Sequence, residues 1–239
     1  MNSIYDLIVT SKIANKKLLA ILLDPDKLEL EEISKIAKKI NQSPANLIFV
    51  GGSTNSKTTI DTILINLKKY SALPIVLFPG NPSQISNHAH GILFLSLISG
   101  RNPDFLIEHQ VNSVPILKKT QLEIISTGYI LVDSENETTV AKVSKTKPLD
   151  RNNHNYILQT AQAGELLGNK LMYLEAGSGA KLSVPIEVIQ LVSNNLTIPL
   201  IVGGGIRTMQ EIQGAYKSGA DLVVIGTAFE NNLNFFNHQ

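Results

Sequence analysis

Several short segments of this 239-residue chain combine residue types and spacing that could carry a reaction. Asp24-Pro25-Asp26-Lys27 directly follows an apolar run, so carboxylates appear where a buried strand would meet solvent. A lone carboxylate with phosphate oxygens and water is a common way to hold Mg²⁺. Asp24 stands nearer the strand end, while Asp26 suits capping of a helix beginning near Leu28 just as well. Ser53, in Gly51-Gly52-Ser53, could orient a metal-bound water or touch the ion, and by spacing alone it serves equally as a helix N-cap.

Glu175 follows Met172-Tyr173-Leu174 without a break. A carboxylate ending a buried strand costs free energy unless it is paired or functional, which makes Glu175 the candidate general base. Tyr173 reads either as a core residue with a satisfied hydroxyl or as part of the site. Two later apolar runs end in Gly203-Gly204-Gly205 and Gly226-Thr227. Glycines there could simply make tight turns, but two such ends in succession favour backbone N–H groups and a helix N-terminus facing a phosphate. Arg101 and Asn102 read as ordering a loop before a helix that starts at Pro103. His88, His90, His109, His154 and His238 show no metal-binding spacing, and Lys142, Lys145 and Lys147 read as a solvated face.

Positioning these groups requires a scaffold, and the hydrophobic pattern supplies one. Short apolar runs at 18–23, 46–50, 74–78, 91–95, 124–132, 171–174, 198–202 and 222–225 read as buried strands. Helical patterns over 28–40, 57–70, 155–167, 185–192 and 209–217 fall between several of them. Alternation of this kind predicts a parallel sheet, and the count predicts a single-domain α/β fold over residues 1–239, a (β/α)₈ TIM barrel. An open doubly wound sheet is the alternative. The pattern weakens over 96–125 and 133–155, where 138–148 alternates like a strand, so one barrel helix is expected to be irregular or replaced there. In such a barrel the candidate residues all fall at strand C-terminal ends, and strands seven and eight form the usual phosphate site.

Composition excludes other classes. The formal charge is +1, from 21 basic and 20 acidic residues scattered along the chain, which argues against a nucleic-acid footprint or a polybasic membrane anchor. With no cysteine there is no disulfide framework, zinc knuckle or thiol nucleophile. No stretch approaches the roughly 18 apolar residues of a spanning helix, so a cytoplasmic protein without stable membrane insertion is expected.

The motifs together resemble the geranylgeranylglyceryl phosphate synthase family, prenyltransferases with a modified TIM barrel. The resemblance runs through 22–27 (LLDPDK), 49–53 (FVGGS), 94–103 (FLSLISGRNP), 127–132 (TGYILV), 173–180 (YLEAGSGA), 202–206 (VGGGI) and 226–227 (GT), nearly the whole chain. It implies attack by the 3-hydroxyl of sn-glycerol 1-phosphate on C1 of a prenyl diphosphate, forming an ether and releasing diphosphate. By that resemblance Asp24 and Ser53 help hold Mg²⁺. Tyr173, Glu175, Ala176, Gly177, Ser178, Gly179, Gly204, Gly205, Gly226 and Thr227 bind glycerol phosphate, and Glu175 takes the hydroxyl proton beside Tyr173. It also implies a homo-oligomer, dimer or hexamer, and an apolar groove for the prenyl tail. Two departures stand out: Leu22 replaces a Lys two positions before the motif Asp, and His90-Gly91 replaces an Asp-Ala pair.

Two rivals share the pattern. A phosphosugar isomerase or lyase could use Asp24 and Asp133, at the ends of strands one and five, as an acid–base pair. Its half-barrel repetition is missing, since Phe78-Pro79-Gly80-Asn81 does not match Ile201-Val202-Gly203-Gly204-Gly205. A phosphate-binding module without catalysis would have no use for Glu175.

Overall fold

Alternation within the apolar runs sorts side chains onto two faces. Leu18, Ala20 and Leu22 join one packed cluster with Leu47, Phe49, Val76, Leu93, Tyr129, Leu171, Tyr173, Ile201 and Val224. Leu19, Ile21 and Leu23 join the other, with Ile48, Val50, Met172, Leu174 and the helix residues Ile36, Ile63, Ile157 and Val188. The first cluster fills the inside of a closed sheet; the second lies between sheet and helices, so strands are buried on both faces.

A computed structural model describes residues 3–52 and 57–237. Its strands are β1 (Leu18–Leu23), β2 (Leu47–Val50), β3 (Ile75–Leu77), β4 (Gly91–Leu97), β5 (Glu123–Leu131), β6 (Leu171–Glu175), β7 (Leu200–Gly203) and β8 (Leu222–Ile225), closed in chain order. β1 pairs in parallel with both β2 and β8, so the expected barrel is present and the open sheet is not.

The helices follow the expected pattern with corrections. The α1 helix (Ile4–Ile13), unforeseen in the sequence, closes the N-terminal end of the barrel with buried Ile4 and Ile8. Glu123 at the start of β5 fixes it, accepting from Ser3 Oγ at 2.6 Å and the N–H groups of Ile4 and Tyr5 at 2.6 and 2.8 Å. The expected 28–40 helix is shorter: 3₁₀ turns at Pro25–Lys27 and Leu30–Glu32 precede α2 (Ile33–Asn41), and Asp24, not Asp26, provides the cap, accepting from Asp26 N–H at 3.1 Å. The α3 helix (Lys57–Tyr70) lies as expected, α4 (His109–Leu117) follows a π-helical turn at Asp104–Glu108, and 138–148 contains a short helix, α5 (Thr139–Ser144), in place of strand-like alternation. The remainder are α6 (His154–Leu166), α7 (Ile186–Ser193), α8 (Met209–Lys217) and α9 (Thr227–Asn231).

The element lacking a helix is elsewhere than expected. Between β3 and β4 there is only a 3₁₀ turn, Pro82–Gln84. Pro79, Gly80 and Pro82 within five residues forbid a regular helix, and Gln84 Oε1 instead accepts the Gly80 N–H at 2.8 Å. Among the described residues no helix is long and apolar enough to cross a membrane.

Candidate active site

Side chains pointing into the barrel repeat every second residue, so Leu171 and Tyr173 place Glu175 on the inner face at the C-terminal end of β6. There Glu175 pairs in register with Gly203 on one side and Leu131 on the other. Its side chain is buried, and Oε1 accepts the Gly177 N–H at 2.7 Å. Burial pushes its carboxyl up to about 7, while the Gly177 N–H and the nearby Tyr173 hydroxyl pull the other way. That hydroxyl is itself buried with no hydrogen bond of acceptable geometry among the described residues. Burial and the Glu175 charge raise the Tyr173 pKa well above its ordinary value, so it is a neutral donor.

The glycines around Glu175 have a steric reason. Gly204 has φ +79°, and a Cβ there would overlap Glu175 Oε1 and the Gly177 nitrogen. The neighbouring loops are tied together: Ala176 N–H donates to Gly203 O at 3.0 Å, and the Arg207 guanidinium donates to the carbonyls of Ala180, Lys181 and Gly205. These loops, with Gly226, Thr227 and Asp24, line a polar cleft. All expected site residues within the described part of the chain line it except Ala176, whose side chain is buried behind the loop. Ser53 lies outside the described residues. Asp133 does not line this cleft; it borders a separate surface depression with Lys142 and Lys145, so the acid–base pair required by the isomerase rival is not assembled.

Asp24 lines the same cleft at the end of β1, next to the β8 loop that carries Gly226 and Thr227. A Cβ on Gly52 would lie 2.8 Å from Asp24 Oδ1, so a glycine at 52 keeps that carboxylate open. Burial raises the Asp24 pKa against the lowering effects of the Asp26 N–H and Lys27. Among the described residues there is no group of three His, Cys, Asp or Glu side chains able to hold a metal. The donor set therefore does not build an all-protein cage, but it suits Mg²⁺, which is commonly held by one or two carboxylates together with substrate phosphates.

A second, apolar cleft is present as the resemblance implied, with a lining that sequence reasoning did not place. Where the helix between β3 and β4 is absent, Pro79–Pro82, Ile92–Leu95, Phe105 and the α4 residues His109, Gln110 and Ser113 line a channel. It meets the polar cleft at Gly52, Phe78, Tyr129 and Val140, which line both. Phe78, Tyr129 and Tyr173 form an aromatic triangle at that junction, with centroids 5.4 to 5.9 Å apart. The register of β5 on β6 sets Tyr129 beside Tyr173, a neighbour relation that spacing along the chain does not carry. Glu230 was missed as well: it lies one helical turn past Gly226, and its Oε1 accepts the Asp24 N–H at 3.1 Å. Arg101 and Asn102 order their loop, bonding to the carbonyls of Ile98, Gly100 and Ser144. His90 is also structural, its Nδ1 accepting the Ile75 N–H at 2.9 Å.

Comparison with known proteins places this architecture. Residues 11–238 match the PcrB family. A geranylgeranylglyceryl phosphate synthase of Flavobacterium johnsoniae is 60% identical over 99% of this chain and 97% of its own length. Another, from Zunongwangia profunda, is 51% identical over 97% of this chain and 98% of its own. The crystal structure of (S)-3-O-geranylgeranylglyceryl phosphate synthase from Thermoplasma acidophilum, in complex with substrate sn-glycerol-1-phosphate, superposes with a TM-score of 0.93 at 31% identity, covering 99% of this chain and 95% of that one.

Proposed function

The chain belongs to the PcrB family, and from that membership and the joined clefts at its mouth we propose that it transfers the prenyl group of geranylgeranyl diphosphate to the 3-hydroxyl of sn-glycerol 1-phosphate. The reaction makes an ether-lipid precursor and releases diphosphate. One observation carries this reading: an apolar channel and a polar, glycine-lined cleft meet at Phe78 and Tyr129, within the polar cleft that buried Glu175 also lines. A substrate with a long apolar tail and an anionic head fits that pair, at roughly 0.8 kcal/mol per buried CH₂ of tail.

Glycerol phosphate occupies the side formed by Tyr173 to Gly179, Gly204, Gly205, Gly226 and Thr227, where backbone N–H groups and the start of α9 receive its phosphate. Glu175 takes the proton of the 3-hydroxyl as its oxygen bonds to C1, and the Tyr173 hydroxyl orients that oxygen. The C1–O bond to diphosphate breaks, its electron pair leaving with the diphosphate. Asp24, with Ser53 as a second expected contact, would hold Mg²⁺, which when bound would supply positive charge beside the departing diphosphate. The faces of Tyr129 and Phe78 border C1 while it carries cationic character. Holding both substrates in one water-poor mouth supplies alignment that solution lacks.

The reaction takes place in the cytoplasm, in a homo-oligomer that is a dimer or hexamer. The row Ile107, Val111 and Val114, 58%, 54% and 40% exposed at helical spacing, supports a face covered by a second copy. Glu175→Gln tests the reaction. An enzyme of this kind loses turnover about 10²–10⁴-fold while still binding sn-glycerol 1-phosphate, since Gln retains an acceptor for the Gly177 N–H. Unchanged product formation in Glu175→Gln contradicts the assignment.

A further inference from the structure

We propose that Lys27 is the side-chain cation that binds the diphosphate of the prenyl substrate, and that Glu230 holds it ready at the mouth; this rests on the reading of the polar cleft given above. Among the described residues, the lysines and arginines lining that cleft are Lys27 and Arg207. Arg207 is spent on the carbonyls of Ala180, Lys181 and Gly205, tying the β6 and β7 loops on the glycerol phosphate side. Lys27 stands on the β1 loop, with β8 between it and Arg207. Its Nζ lies 3.0 Å from Glu230 Oε2 and 3.6 Å from Asp24 Oδ2, with its side chain 49% exposed against 14% and 24% for the two carboxylates.

This geometry presents a half-exposed ammonium seated on two largely covered carboxylates. Glu230 is itself fixed, because its other oxygen accepts the Asp24 backbone N–H. An ammonium has three donors, so two carboxylate partners leave one for a ligand entering from the cleft. The need for it follows from the charges lining the cleft, where Asp24, Glu175 and Glu230 face Lys27 and Arg207. A diphosphate brought to the Asp24 end meets two carboxylates there, and Leu22, which lines the same wall, offers no charge to offset them.

The competing account is a strut: the Lys27–Glu230 pair merely fastens the β1 loop to α9. Titration calorimetry of inorganic pyrophosphate with Mg²⁺, and separately of sn-glycerol 1-phosphate, separates the two. The proteins are wild type, Lys27→Met, Lys27→Arg, and Lys35→Met, which removes a charge from α2 outside both clefts. Lys27→Met weakens pyrophosphate about tenfold or more, the worth of a charge-assisted hydrogen bond, and leaves glycerol phosphate within about twofold. Lys27→Arg recovers most of the loss, and in steady state the KM for prenyl diphosphate rises while that for glycerol phosphate does not. Pyrophosphate affinity unchanged in Lys27→Met overturns the proposal, as does an equal loss in Lys35→Met. An equal weakening of both ligands together with a lower melting temperature assigns the strut and also overturns it. A wild-type protein that takes glycerol phosphate but no pyrophosphate with Mg²⁺ overturns instead the underlying assignment of the Asp24 end.

Discussion

Glu175 is costly to fold around, and the cost is a measure of its use. Its folded pKa of about 7 stands above the ordinary 4.5, so between those values the folded protein binds a proton that the unfolded chain has released. Stability therefore falls as pH rises through that window, by about 3 kcal/mol in all. Glu175→Gln carries no such loss, so urea denaturation should find the variant level with wild type at pH 5 and more stable at pH 8. The same proton governs rate: kcat/KM should rise about tenfold per pH unit up to roughly pH 7 and then level, a limb absent from the residual activity of Glu175→Gln. Gly204 is tied to this carboxylate. Gly204→Ala forces a Cβ into Glu175 at φ +79° and should cost about 1–3 kcal/mol in urea denaturation together with glycerol phosphate binding. At this scale the sequence was informative where a charged residue abutted an apolar run, as Asp24 and Glu175 do. It was silent on Lys27, Glu230 and Tyr129, because a cleft-lining role there depends on which strand or helix end lies opposite, and spacing along the chain does not encode that.

The gap between β3 and β4 separates this barrel from one with a complete helix ring. It opens the apolar channel along Pro79–Pro82 and α4, where a crossover helix would otherwise lie. The length of that channel should set the length of tail accepted. Ser113, buried on α4 at its wall, is a place to shorten it: Ser113→Phe should lower kcat/KM for geranylgeranyl diphosphate relative to farnesyl diphosphate. One isoprene unit excluded from the channel is worth on the order of 3 kcal/mol, and the KM for glycerol phosphate should not move. Strand positions were legible because apolar runs bounded by glycine and polar residues have few other uses. Weak periodicity over 96–125 and 133–155 does mark irregular helix, a π-helical turn and two short helices, whereas the missing helix hides in an ordinary-looking Pro-Gly-Asn-Pro loop.

Across the whole molecule the two ends of the barrel divide the work. The N-terminal end is closed by α1, pinned by Glu123, and lines neither cleft; the C-terminal end carries the glycine loops, the carboxylates and both clefts. Glu123→Ala should therefore lower stability by about 1–3 kcal/mol in denaturant while the KM values of the folded enzyme remain unchanged. The closed barrel was readable from the count of alternating elements, whereas α1 was not, since Ile4–Ile13 carries no strong helical period and owes its order to the barrel floor. The most direct test of the account mixes the purified protein with Mg²⁺, sn-glycerol 1-phosphate and prenyl diphosphates of increasing length, then extracts and weighs the products, with sn-glycerol 3-phosphate and EDTA as controls. The account predicts an ether-linked prenylglyceryl phosphate formed from the 1-phosphate and lost with EDTA, with geranylgeranyl diphosphate preferred. No ether product from any chain length would contradict it.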